Sequence, residues 1–275
     1  VCSSDLSGVI VTALEDPIDP STSFPNADPE HIWALELGSK NEFWDNRIRA
    51  NLTGFYYWYE NLQVSQLAEA SVITQNATDA TVWGFEAELT LRPLVDFVPE
   101  LFEGLTLIGN FGYLNAEYGS FENCYLGEAS RGIDCSGNTL TRAPPYTATV
   151  IANWPFDFGR WGTVTPNVQL YASGKIYFRP SNCPNSECGA AIDAQFPPPG
   201  TRQQNKDFQS PYEILDARIS WTSADRHVEV SAFVNNVADK DIIQSQVAGS
   251  FLIGAPIQVR FDRPRTWGVR VGLAW

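Results

Sequence analysis

A chain of 275 residues with a net charge of −14 and a pI near 4.5 lacks the basic footprint that nucleic-acid binding requires. Its mean hydropathy of −0.18, with no apolar run approaching the roughly 20 residues of a spanning helix, excludes a helical membrane protein. It does not exclude a membrane barrel, whose strands are only half apolar, and an aromatic content of 13% with Trp 9 is high for a soluble chain.

Residues 1–29, rich in Asp, Pro and Ser, read as an irregular loop or the stub of a preceding hairpin. The first clear strand is His31–Lys40, with Trp33, Leu35 and Leu37 on one parity and Ala34, Glu36 and Gly38 on the other. A turn at Trp44-Asp45-Asn46 leads into Arg47–Tyr59, where Ile48, Ala50, Leu52, Gly54, Tyr56 and Trp58 share a face. That run ends in FYYWYE, an aromatic cluster of the kind found at a membrane interface. After a polar stretch (SVITQNATDAT), Val82–Leu91 sets Phe85, Ala87, Leu89 and Leu91 against Glu86, Glu88 and Thr90. A connection over Arg92–Gly104, carrying Pro93 and Pro99, precedes the strand Leu105–Tyr118. A loop with Cys124 and Cys135 comes next, then Tyr146–Trp154 and a turn at Asp157-Phe158-Gly159-Arg160. Thr163–Phe178 is followed by the longest loop, Arg179–Ser210, with Cys183 and Cys188. Tyr212–Trp221, a tight turn at Ser223-Ala224-Asp225-Arg226 and His227–Val237 follow, and a loop over Ala238–Arg263 precedes the last strand.

That strand, Pro264–Trp275, holds Trp267, Val269, Val271, Leu273 and Trp275 on one parity and Thr266, Gly268, Arg270, Gly272 and Ala274 on the other. Termini of soluble domains fray into water. An indole ending an apolar face fits lipid better, with Trp267 and Trp275 near the two interfaces where aromatic girdles lie.

Short connections near Asp45, Asp157 and Asp225, with a medium one near Pro99, alternate with long ones near Asn76, Ser130, Pro198 and Gln246. Outer-membrane barrels place short turns on the periplasmic side and long loops outside, so the last strand descends toward the periplasm. The fold class expected is all-β: an antiparallel up-and-down transmembrane β-barrel. About nine strands are counted where single-chain bacterial barrels have an even number. Together with Met 0 and no signal-peptide pattern, this leads us to expect an incomplete barrel, with no plug domain, that is part of a longer protein. The in-strand charges Glu36, Arg49, Glu86, Glu88, Asp216, Arg218, Glu229 and Arg270 all lie opposite the apolar parity. In a soluble extracellular β-sandwich, the alternative reading as a binding module, they face water. In a barrel they face a wet lumen, because a charge on the lipid face costs about 2–4 kcal/mol at the midplane.

Four of the five cysteines form two local pairs, Cys124/Cys135 and Cys183/Cys188, each inside one long loop, and Cys2 is left over. With only His31 and His227 elsewhere and no CxxC pair, loop disulfides in an oxidising compartment explain them better than a metal site. No GxSxG, HExxH or phosphate loop occurs, and Glu86/Glu88 suit a solvated lumen wall better than acid–base chemistry, so no catalytic residue, enzyme activity or cofactor is expected. Asn51-Leu52-Thr53 and Asn76-Ala77-Thr78 match a glycosylation pattern too short to carry weight.

Several phrases in order resemble the C-terminal part of a TonB-dependent outer-membrane receptor barrel. They are LELGSKNEFWDNRIRANLTGFYYWYENLQVSQ (Leu35–Gln66), GFEAELTLRPL (Gly84–Leu94), GLTLIGNFGYLNAEY (Gly104–Tyr118), LTRAPPYTATV (Leu140–Val150), VNNVADK (Val234–Lys240) and PRTWGVRVGLAW. The resemblance covers about residues 30–275 and is specific to the family, not to a substrate. It implies a barrel of about 22 strands around a plug. It also implies TonB-energised uptake of a scarce bulky ligand (an iron–siderophore, cobalamin or glycan), with the outer-membrane lipid as surroundings. The TonB complex would engage a plug or N-terminal region that this sequence lacks. By the same resemblance Trp275, with Trp267, Val269, Val271 and Leu273, is the signal read by the barrel-assembly machinery. Ligand contacts would fall in loops 119–141, 179–210 and 238–263, with no single residue assigned. A passive outer-membrane pore is the other alternative.

Overall fold

In the computed structural model the described residues are 28–68, 71–76, 79–122, 134–182, 208–248 and 257–274. Alternating sequences of this kind suit extended chain, and the described residues form β1 (His31–Phe43), β2 (Ile48–Glu60), β3 (Gln63–Ala68), β4 (Ser71–Asn76), β5 (Ala80–Leu91), β6 (Thr106–Tyr118), β7 (Tyr146–Asn153) and β8 (Phe156–Asp157). They continue with β9 (Thr163–Ser173), β10 (Ile176–Tyr177), β11 (Phe208–Gln209), β12 (Tyr212–Thr222), β13 (Val228–Asn235), β14 (Ile243–Ala248), β15 (Ile257–Phe261) and β16 (Thr266–Leu273). Nine of them make one antiparallel wall in the order β1-β2-β5-β6-β7-β9-β12-β13-β16, with β8 appended to β9. Every wall strand pairs with its neighbour along the chain, the signature of an up-and-down barrel. The wall is a single sheet with no second sheet packed across it among the described residues, so the soluble sandwich is set aside.

Register decides which side chains share a face, because residues opposite each other in an antiparallel pair point the same way. Leu89 lies opposite Gly109, Gly109 opposite Val150, Val150 opposite Leu170, and Leu170 opposite Leu215. Trp221 continues to Val230 and Val271, and Ile219 to Ala232 and Val269. The apolar parities therefore join into one band across all nine strands. They stay open: Leu37 is 81% exposed, Val150 50% and Val269 69%. A sheet with its large apolar side chains exposed makes physical sense only against lipid.

The short connections gather at one end and brace one another. The Trp154 indole donates to the Phe102 carbonyl at 2.9 Å, and the Trp221 indole to the Trp161 carbonyl at 2.8 Å. His227 Nδ1 lies 2.6 Å from the Ala274 carbonyl oxygen, holding the end of β16 to the β12–β13 turn. In that turn Asp225 accepts hydrogen bonds from the Ser223 hydroxyl and the His227 amide. These hold its carboxyl below the usual carboxylate range, the Ser223 bond foremost. A carboxyl depressed in the folded state contributes stability above its unfolded pKa and loses it as pH falls through the folded value. Unfolding followed against pH should therefore show that Asp225→Asn flattens the loss of stability below about pH 4.

Three of the long connections contain small two-stranded pairings: β3 with β4 and β14 with β15, in stretches with no expected strand, and β10, from the end of the run expected over Thr163–Phe178, with β11, from the expected loop. The run expected over Thr163–Phe178 breaks after Ser173, where Gly174 packs against Pro145 at a distance that leaves no room for a Cβ (2.8 Å). The cluster FYYWYE is divided between faces. Tyr56 and Trp58 meet in a tilted pair on the lipid side (4.3 Å), while Phe55 and Tyr57 stack at 5.1 Å on the other.

Candidate functional site

The face opposite the lipid band carries most of the in-strand charges; Glu60, Glu117 and Glu213 share the lipid parity but sit at the long-loop ends of β2, β6 and β12. One row across the wall runs Lys40, Asn51, Glu88, Asn110, Thr149 and Tyr171, with the Asn51 amide donating to Glu88 at 2.9 Å. A lower row sets Glu42 beside Arg49, joined at 3.0 Å. Nearer the chain end, Arg218 pairs with Glu229 at 2.5 Å. A lumen cleft of about 260 Å³ is lined there by Asn167, Gln169, Asp216, Arg218, Phe233 and Arg270, among others. The far end of the Phe233 ring lies over Gly268, whose missing side chain makes the room: a Cβ there would meet the ring at 3.0 Å. The surface is polar, mixed in sign and wet. It suits guiding a polar solute or packing a polar domain, and it places no nucleophile beside a base. Among the described residues no group of three His, Cys, Asp or Glu side chains could hold a metal ion.

Above the wall the bases of the long loops are tied together in a collar. Asn138 donates to the Pro180 carbonyl at 2.9 Å, Asn182 to that of Thr139 at 3.0 Å, and the Arg142 amide to that of Tyr177. The Gln209 side chain accepts from the Ile243 amide at 2.8 Å, reaching the next loop. Lys175 lies over both Phe208 (4.7 Å) and Tyr177 (5.5 Å). The VNNVADK phrase owes its form to Asn236 at φ 51°, whose buried amide bonds both the carbonyl and the amide of Lys240 at 2.9 Å. A buried cluster of Tyr118, Phe121 and Cys135, with Leu62, Val64 and Leu140 against it, anchors the loop after β6. Sequence reasoning did not single out Lys175, Gln209 or Asn236. Asn-Asn ahead of Ala-Asp was the only cue, a turn signal with nothing to say what it would touch.

Cys135 is fully buried and disulfide-bonded, while Cys2, Cys124, Cys183 and Cys188 lie outside the described residues. Trp267, Val269, Val271 and Leu273 stand on the lipid face of β16 and are 63% to 80% exposed, and Trp275 lies outside the described residues. Residues 6–237 match the family model described as TonB dependent receptor-like, beta-barrel. The fold is similar to that of the ferric yersiniabactin uptake receptor FyuA from Yersinia pestis, at 18% identity and a TM-score of 0.66, over 98% of this chain and 33% of that one. It is also similar to BauA, the ferric preacinetobactin receptor from Acinetobacter baumannii (17%, TM-score 0.59, 98% and 33%). A third likeness is to the ferric citrate transporter FecA (16%, TM-score 0.62, 89% and 31%). The chain thus spans about a third of the length of the solved receptors it matches.

Proposed function

Because the chain belongs to the TonB-dependent receptor-like β-barrel family, we propose that it forms the C-terminal part of an outer-membrane receptor that imports a scarce, bulky ligand, energised by the TonB complex. Family and neighbours are receptors and transporters, not enzymes. The observation that carries the reading is the nine-strand wall with its continuous lipid band and its polar, mixed-charge lumen face. An iron–siderophore leads the ligand classes because three similar receptors carry ferric ligands in their names; cobalamin and glycans are the others. In this reading residues 30–275 are barrel and 1–29 the connection into it, and the plug and coupling segment belong to the longer protein.

Two finer assignments accompany it. Cys135 bonds Cys124, and Cys183 bonds Cys188, stapling loops above the collar. The β16 face ending at Trp275 is the signal read by the barrel-assembly machinery. The test is iron uptake by the complete receptor in a host stripped of its own receptors, using a panel of radiolabelled ferric siderophores. Uptake of at least one that stops when the TonB complex is removed supports the proposal. Uptake indifferent to that complex, with steady conductance of the purified protein in planar bilayers, would make it a passive pore.

A further inference from the structure

The connection between β5 and β6 is too long and too apolar for a simple periplasmic turn. Arg92–Gly104 reads RPLVDFVPELFEG, with a single 3-10 turn at Glu100–Phe102. It does not hang into the periplasm. It folds outward against the lipid face of the next hairpin, where Phe102 meets Phe156 edge-on at 5.9 Å and Phe156 lies 4.9 Å from Trp154. Trp154 and Phe156 belong to the outward parity, since Phe156 lies opposite Val164 and Val164 opposite Trp221 of the lipid band. Gly104 sits against Pro155, so close that a Cβ would fall 2.8 Å from its ring and its carbonyl oxygen.

The other side is pinned as well. Arg47, reaching from the β1–β2 turn, donates to the Val95 carbonyl at 3.2 Å, pairs with Asp96, and lies 5.9 Å from the Phe97 ring. Held at both ends, the segment leaves the Phe97 ring 77% exposed. The open aromatics Trp44, Phe158 and Trp161 stand on the neighbouring short connections at the same end, beside Phe43 at the end of β1. Arg92 and Arg160 are exposed there, with no acidic partner among the described residues, and Arg160 lies 5.0 Å from the Trp161 ring. Of the acids on these two connections, Asp96, Glu103 and Asp157 are engaged within the turns, and Glu100 is not.

We propose that Arg92–Gly104 is an interfacial anchor seated in the inner leaflet of the outer membrane, with Phe97 and Phe102 at the acyl boundary and Arg92 and Arg160 on phospholipid headgroup phosphates. The occupant follows from continuity: the exposed rings extend the lipid band by one level, to the depth where aromatic side chains meet headgroups. A rigidly braced aromatic loop facing water would instead carry an unrepaid hydrophobic cost.

The test uses the complete receptor in phosphatidylethanolamine/phosphatidylglycerol vesicles. A fluorophore on Phe97→Cys is expected to lose more than about half its emission when the acyl chains are brominated near the headgroup, and to resist aqueous iodide. A fluorophore on Asp45→Cys, at the tip of the adjoining turn, serves as the water-exposed reference. Arg160→Glu should lower the thermal midpoint in these vesicles and leave it unchanged in maltoside micelles, which carry no phosphate. Iodide quenching at position 97 as fast as at position 45, with no effect of bromolipid, overturns the proposal. An equal loss for Arg160→Glu in both media assigns that arginine to the protein's own packing and removes the headgroup contact.

Discussion

Val150→Arg is expected to lower the folding free energy of the complete receptor in bilayers by about 2–4 kcal/mol, whereas Thr149→Arg changes it by less than about 0.5 kcal/mol. The two positions are consecutive on β7 and differ only in face. Val150 is 50% exposed among Gly109 and Leu170 near the middle of the lipid band, where a guanidinium finds neither water nor a partner. Thr149 lies between Asn110 and Tyr171 in the lumen row that also holds Glu88, so an arginine there gains solvent and a nearby carboxylate. Urea unfolding in phospholipid vesicles reads both variants. Equal losses, or a larger loss for Thr149→Arg, would mean that the apolar parity does not face lipid.

Gly162→Ala is expected to cost about 2–4 kcal/mol, although it adds one methyl group at the sheet rim. Gly162 closes the turn before β9 at φ 84°, ψ −166°, a region open almost only to glycine. A Cβ there would stand 2.1 Å from the Thr222 carbonyl oxygen, which is backbone and cannot swing aside. Relief requires moving the β9–β12 edge where Thr163 faces Thr222, and with it the Trp221–Trp161 bond. Gly137→Ala is the comparison: it shares a positive φ of 74° but has nothing within 4 Å, so it should lose only the backbone part, about 1 kcal/mol. If the two variants unfold at the same urea midpoint, the contact with Thr222 carries no energy.

The sequence by itself determined the strands of the wall, their count, their two faces and the end at which the short turns gather. Side-chain parity is set by bond geometry along the chain, so Val269 and Arg270 must point opposite ways wherever β16 lies. Hence Val82–Leu91 was legible as Ala80–Leu91, and Tyr212–Trp221 as Tyr212–Thr222. The family too was legible, in phrases from Leu35–Gln66 to the last strand, and the family model over residues 6–237 agrees.

What only the tertiary structure decided depends on groups distant in the chain. The sequence marks Pro93 and Pro99 but not that Phe102 rests on Phe156, more than fifty residues on, outside the wall. It shows a loop at Arg179–Ser210 but not that Asn138 and Gln209 tie its two ends to different neighbours. The β14–β15 hairpin lies inside the stretch read as loop: β14 carries no clean alternation and β15, though alternating, is only five residues long, so it is pairing with each other that makes them strands. Local periodicity reports which way a side chain points; which surface it meets depends on register, and register is fixed only when every neighbouring strand is in place.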